Sequence, residues 1–89
     1  MATKWQISKE VLSSKIDDEV VLMSMEADAY FGLDPVGSKV WELLSIEPAT
    51  VPELVEKLME EYDIDEETCV KDVEAFISQM SERKLITAL

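Results

Sequence analysis

Eighty-nine residues allow one domain, 1–89, with a thin core, because a chain of this size buries only about 60–65% of its unfolded surface. Twenty acids stand against eight bases with no histidine, a formal charge of −12. That balance weighs against nucleic acid and anionic membranes as partners, and it removes the commonest general base and transition-metal ligand.

In chain order, Trp5 and Ile7 alternate with polar neighbours, and Val11, Leu12 and Ile16 follow less regularly. The acidic turn Asp17-Asp18-Glu19 leads into Val20-Val21-Leu22-Met23-Ser24-Met25, a largely apolar, β-branched run that reads as a strand. Glu26-Ala27-Asp28 is polar enough for a hairpin turn, and Ala29-Tyr30-Phe31-Gly32-Leu33 returns. Alternation puts Phe31 and Leu33 on one face of that strand and Tyr30 and Gly32 on the other.

Past Asp34 the apolar period changes from two to helical spacing. Asp34-Pro35 is an N-cap followed by proline at the first helical position, where its missing N–H costs nothing. This helix runs to about Ser45, with Val36, Val40, Trp41, Leu43 and Leu44 on its apolar face. Gly37 suits a close backbone approach. Thr50 and Glu53 form a capping-box pattern for a second helix ending near Glu61. Asp65 caps a third, extending to about Arg83, with Cys69, Val70, Val73, Phe76, Ile77 and Met80 along an apolar arc about 120° wide. Leu85-Ile86-Thr87 forms a short extended tail. The expected fold is α+β and winged helix-turn-helix-like: a three-stranded antiparallel sheet followed by three helices.

Several chemistries can be weighed on particular residues. Asp63, Asp65, Glu67 and Glu74 occupy positions one, three, five and twelve of a calcium loop, but position six is Thr68 where glycine is needed for the turn. Acids at a helix start are favoured by the helix dipole alone. Ser38 invites comparison with the serine of acyl carrier proteins, but Gly37 precedes it where those proteins carry aspartate. Cys69, the single cysteine, excludes an internal disulfide; with no histidine to activate it, it reads as core. A DNA-reading third helix would need Arg, Lys, Asn or Gln facing outward, whereas this one carries Glu66, Glu67, Asp72, Glu74 and Glu82. No spacing singles out catalytic carboxylates, and no metal or cofactor is expected.

Two features favour peptide binding. The strand around Tyr30-Phe31-Gly32 leaves directly for a helix, so it is a candidate sheet edge with unpaired N–H and C=O groups. The apolar arc of the third helix is also wider than a thin core requires. Its Val70–Ile77 border, with Glu66, Glu74 and Ser81 beyond, would give a groove an apolar floor and an acidic rim. The residues alone leave open whether the arc forms such a groove or is wholly core.

The segment from Val20 through Tyr30-Phe31-Gly32-Leu33-Asp34-Pro35-Val36-Gly37-Ser38-Lys39-Val40-Trp41-Glu42-Leu43-Leu44 resembles the PqqD-like family. So do Thr50-Val51-Pro52-Glu53-Leu54-Val55, Asp72-Val73-Glu74-Ala75-Phe76-Ile77 and Lys84-Leu85-Ile86. The resemblance implies a non-catalytic recognition element for ribosomally made precursor peptides, binding the leader as a strand beside the third strand and against the third helix. Carried onto this chain, the strand positions are Ala29, Tyr30, Phe31, Gly32 and Leu33, and the helix positions are Val70, Val73, Glu74, Ile77 and Met80. The Tyr-Phe-Gly-Leu-Asp-Pro-Val-Gly wording is most similar to stand-alone recognition proteins of lasso-peptide systems. The partners implied are the precursor leader, a leader peptidase and a macrolactam cyclase. The alternative is a chaperone of the pyrroloquinoline quinone precursor or of another modified peptide. With no signal-like segment at the start, the cytoplasm is the expected compartment.

Overall fold

The computed structural model describes residues 3–9, 11–17, 19–24 and 29–89, with Ala29 as backbone only. Eight elements follow in order: β1 (Trp5–Ile7), β2 (Val11–Ile16), β3 (Glu19–Ser24), β4 (Ala29–Gly32), α1 (Pro35–Ile46), α2 (Val51–Glu61), α3 (Glu66–Glu82) and β5 (Ile86–Ala88). The strands β2-β3-β4 form the expected three-stranded antiparallel sheet ahead of the three helices. The hairpin turn expected at Glu26-Ala27-Asp28 lies outside the described residues.

The segment from Trp5 to Ile16 supplies two strands, not one. The break at Ser8-Lys9 lets β1 leave the sheet and pair antiparallel with β5, Trp5 opposite Ala88 and Ile7 opposite Ile86. Trp5 also exchanges backbone hydrogen bonds with Ala49 between α1 and α2, at 2.8 and 3.1 Å. The tail is thus a paired strand. Its backbone groups need partners that the main sheet cannot reach.

The helix starts follow their local chemistry. Asp34 Oδ1 accepts from the Gly37 N–H at 2.6 Å, with Pro35 in the first turn. Thr50 and Glu53 complete a reciprocal capping box at 3.3 and 2.9 Å. Asp65 accepts from the Thr68 N–H at 3.2 Å. The last helix stops at Glu82, so Arg83 is its C-cap and Lys84 lies beyond it. Lys84 takes a left-handed conformation, φ 60°, and donates its N–H to the Ser81 carbonyl, while Leu85 donates to Met80. This pairing closes the helix and drives Leu85 fully into the core.

Among the described residues, only one face of the main sheet is covered. Val20, Leu22, Leu33 and half-buried Phe31 turn toward the helices, where they pack with Val40, Trp41, Leu58, Val73 and Ile77. On the opposite face, Leu12, Met23 and Tyr30 stand in one cross-strand row. Leu12, Ile16 and Tyr30 are exposed there. A β2–α1 ion pair, Lys15 to Glu42 at 2.9 Å, fastens the covered side.

Candidate functional site: an open strand edge beside the third helix

β4 pairs with β3 alone, so its other side is an edge among the described residues. The rung at Leu33, whose N–H donates to the Val20 carbonyl at 2.9 Å, fixes which groups face outward. In an antiparallel ladder, residues whose backbone groups pair inward alternate with residues whose groups point away. Leu33 and Phe31 pair inward; Tyr30 and Gly32 therefore aim their N–H and C=O groups from the open side. The reciprocal bond of the Leu33–Val20 rung is replaced by a side chain. Ser38 Oγ accepts from the Val20 N–H at 3.0 Å and donates to the Leu33 carbonyl at 3.3 Å.

The hydroxyl of Ser38 is thereby spent inside the protein. At 3% exposure it offers no attachment point for a prosthetic arm, which overturns the carrier-protein alternative. Gly37, its neighbour, is a point of close approach. A Cβ there would stand 3.0 Å from both Phe76 Cε1 and Asp34 Oδ1. α1 and α3 can therefore meet at Phe76, which brings α3 alongside the end of β4.

The resulting cleft has two connected cavities that share Asp34, Phe76 and Gln79. One, about 220 Å³, is floored by Gly32, Leu33 and Met80 and ends at Arg83. The other, about 230 Å³, continues past Val36 and Gly37 to Asp72 and Ala75. The Arg83 guanidinium lies 4.6 Å from the Phe31 ring centroid, a cation–π contact joining the strand to the helix end.

Of the strand positions, Gly32 and Leu33 line this cleft and Phe31 lies beneath Arg83. Tyr30 is 74% exposed on the uncovered face, and Leu33 is buried. A Cβ at Gly32 would meet nothing within 4 Å. The α3 positions divide. Met80 reaches the cleft, Val73 is wholly core, and Val70 is half-buried. Glu74 and Ile77 line a separate cavity of about 530 Å³ with Trp5 and Val51, on the other flank of α3. The border of the apolar arc that faces β4 is thus the Phe76 border, not the Val70–Ile77 border. Phe76, Gln79 and Arg83 are among the cleft residues that sequence reasoning left out. With Asp72 they form a stripe at i, i+4, i+7 and i+11, a regular helical face whose direction only the tertiary packing reveals.

The other candidate chemistries dissolve in the geometry. Asp65 is the α3 cap and Glu67 pairs with Lys71 at 3.4 Å, so the calcium spacing is a helix start and its first turns. Burial, with Asp72 and Glu66 nearby, pushes the Cys69 thiol above its ordinary range, and its sulfur lies 3.9 Å from the Val55 carbonyl. No helix among the described residues is long and apolar enough to cross a membrane.

The geometry defines a small winged-helix-like domain with an unpaired strand edge held against a helix. The chain belongs to the PqqD family, whose model, described as coenzyme PQQ synthesis protein D, matches residues 19–86. Two solved structures share the fold. TbiB1 in complex with the TbiA(beta) leader peptide is 38% identical, with TM-score 0.84 over 91% of this chain and 93% of that one. A lasso peptide synthetase B1 complexed with its leader peptide is 17% identical, with TM-score 0.78 over 93% and 96%. No curated protein matches significantly.

Proposed function

We propose that this protein is a non-catalytic adaptor that binds the leader of a ribosomally made precursor as a strand added to β4. The observation that carries this reading is the open edge at Tyr30 and Gly32, facing a cleft walled by Phe76, Gln79, Met80 and Arg83. Main-chain hydrogen bonds to such an edge supply affinity, and the cleft sorts alternate side chains. The likeness to two leader-bound B1 proteins supports a lasso-peptide setting, in which the adaptor passes its cargo to a leader peptidase and a macrolactam cyclase in the cytoplasm. The family model favours a second reading, in which the same edge holds the pyrroloquinoline quinone precursor.

The test is titration of the labelled protein with the leader of the precursor encoded beside it, compared with Gly32→Pro. The Gly32 N–H points away from β3, so proline removes an edge donor without breaking the sheet. Stability should change by no more than ~1 kcal/mol while leader binding is lost. No binding by wild type up to ~100 µM, or equal binding by Gly32→Pro, refutes the strand-addition reading. A quinone-type leader that outcompetes a lasso-type leader decides for the second setting.

A further inference from the structure

Among the described residues, Arg83 is the one base lining the cleft, in a protein with twelve more acids than bases. Its guanidinium lies over Phe31 and makes no ion pair among the described residues. Stacking occupies the face of a guanidinium and leaves the N–H donors at its edge available. The same stacking limits the rotamers of a long side chain, which lowers the entropy lost when those donors bind. At the other end of the cleft stands Asp72, while Asp34 lies where the two cavities join; both are exposed and neither is in an ion pair among the described residues.

We infer that the cleft has an electrostatic polarity: Arg83 takes a carboxylate from the added strand, and the Asp72 end excludes acids and favours a base. This deepens, and rests on, the leader-binding reading proposed above. Asp72 and Arg83 are eleven positions apart on α3, roughly 16 Å at the helical rise. An extended ligand covers that length in about five residues. The ligand class is therefore an extended segment with an acidic side chain near Phe31 and no acid about five residues away, where a basic side chain is preferred. The direction in which the segment lies along β4 follows from the order of those two charges.

The test is selection of random dodecapeptides displayed on phage against the full chain, Gly32→Pro, Arg83→Gln and Arg83→Glu. Wild type should enrich a motif with Asp or Glu at one fixed place. Arg83→Gln should retain the apolar part of that motif but relax the acidic place, and Arg83→Glu should shift it toward Lys or Arg. In titrations, replacing the acid of a selected peptide by its amide should weaken wild-type binding about tenfold. The same replacement should weaken binding to Arg83→Gln by less than about twofold. Peptides that need the open edge, failing on Gly32→Pro, yet show no acidic preference or keep it with Arg83→Gln overturn this inference and leave strand addition standing. If no peptide is enriched, or those enriched bind Gly32→Pro equally well, strand addition and the charge polarity fall together.

Discussion

The Ser38 hydroxyl does the work of a missing backbone rung. By joining the Val20 N–H to the Leu33 carbonyl, it ties the first turn of α1 to the place where β4 ends. Ser38→Ala would leave a buried donor and acceptor unpaired and should cost about 1–3 kcal/mol, measured by urea denaturation. Leader binding should also weaken, because the last residues of the edge lose their anchor; an unchanged midpoint would show that water replaces the hydroxyl. At this scale the sequence was readable where a residue answers to its neighbours in the chain. Asp34, Thr50 and Asp65 cap helices through bonds three residues long, and their roles follow from the local pattern. Ser38 and Arg83 answer to partners 18 and 52 positions away, Val20 and Phe31, and nothing local marks those pairings.

Elements were legible by their period. All three helices and the paired strands β3 and β4 lie where apolar spacing and caps put them, and the N-caps Asp34, Thr50 and Asp65 agree with the structure to the residue. The division of the first strand segment was not legible. Three residues of β1 carry too little alternation to show that they pair with the far end of the chain. The same limit applies to α3. The sequence defines its apolar arc, but which border meets β4 depends on the approach of Phe76 to Gly37. One element-level consequence is pH-dependent. Backbone and side-chain hydrogen bonds from Thr50 hold the Glu53 carboxyl below its ordinary 4.5. A group depressed in the folded state contributes stability that is present above its unfolded pKa and lost as pH falls through its folded pKa. Wild type should therefore lose stability more steeply below about pH 4.5 than Glu53→Gln, which keeps the cap geometry without titrating. Parallel acid titrations followed by circular dichroism check this; superimposable curves would remove Glu53 from the account. The Lys15 hydrogen bond depresses Glu42 similarly, so that ion pair fades in the same range in both proteins.

For the whole molecule, an open β4 edge next to an uncovered row of Leu12, Met23 and Tyr30 is a surface on which copies of the chain could pair. The charge of −12 opposes such contact at neutral pH. As pH falls toward the isoelectric point near 4.1, that repulsion disappears. Light scattering at a pH where circular dichroism is still native should show concentration-dependent association of wild type and less of Gly32→Pro; scattering unchanged from neutral pH would mean that the edge is protected by shape. The pairing of β1 with β5 has a different consequence. The Leu89 N–H donates to the Lys4 carbonyl at 2.9 Å, so the two ends of the described chain lie side by side. They meet near Trp5, on the flank of α3 away from the β4 cleft. The domain is thus a cassette with its connectors at the rear: it can be spliced into a surface loop of another protein, or permuted to open elsewhere, with its binding edge still facing outward.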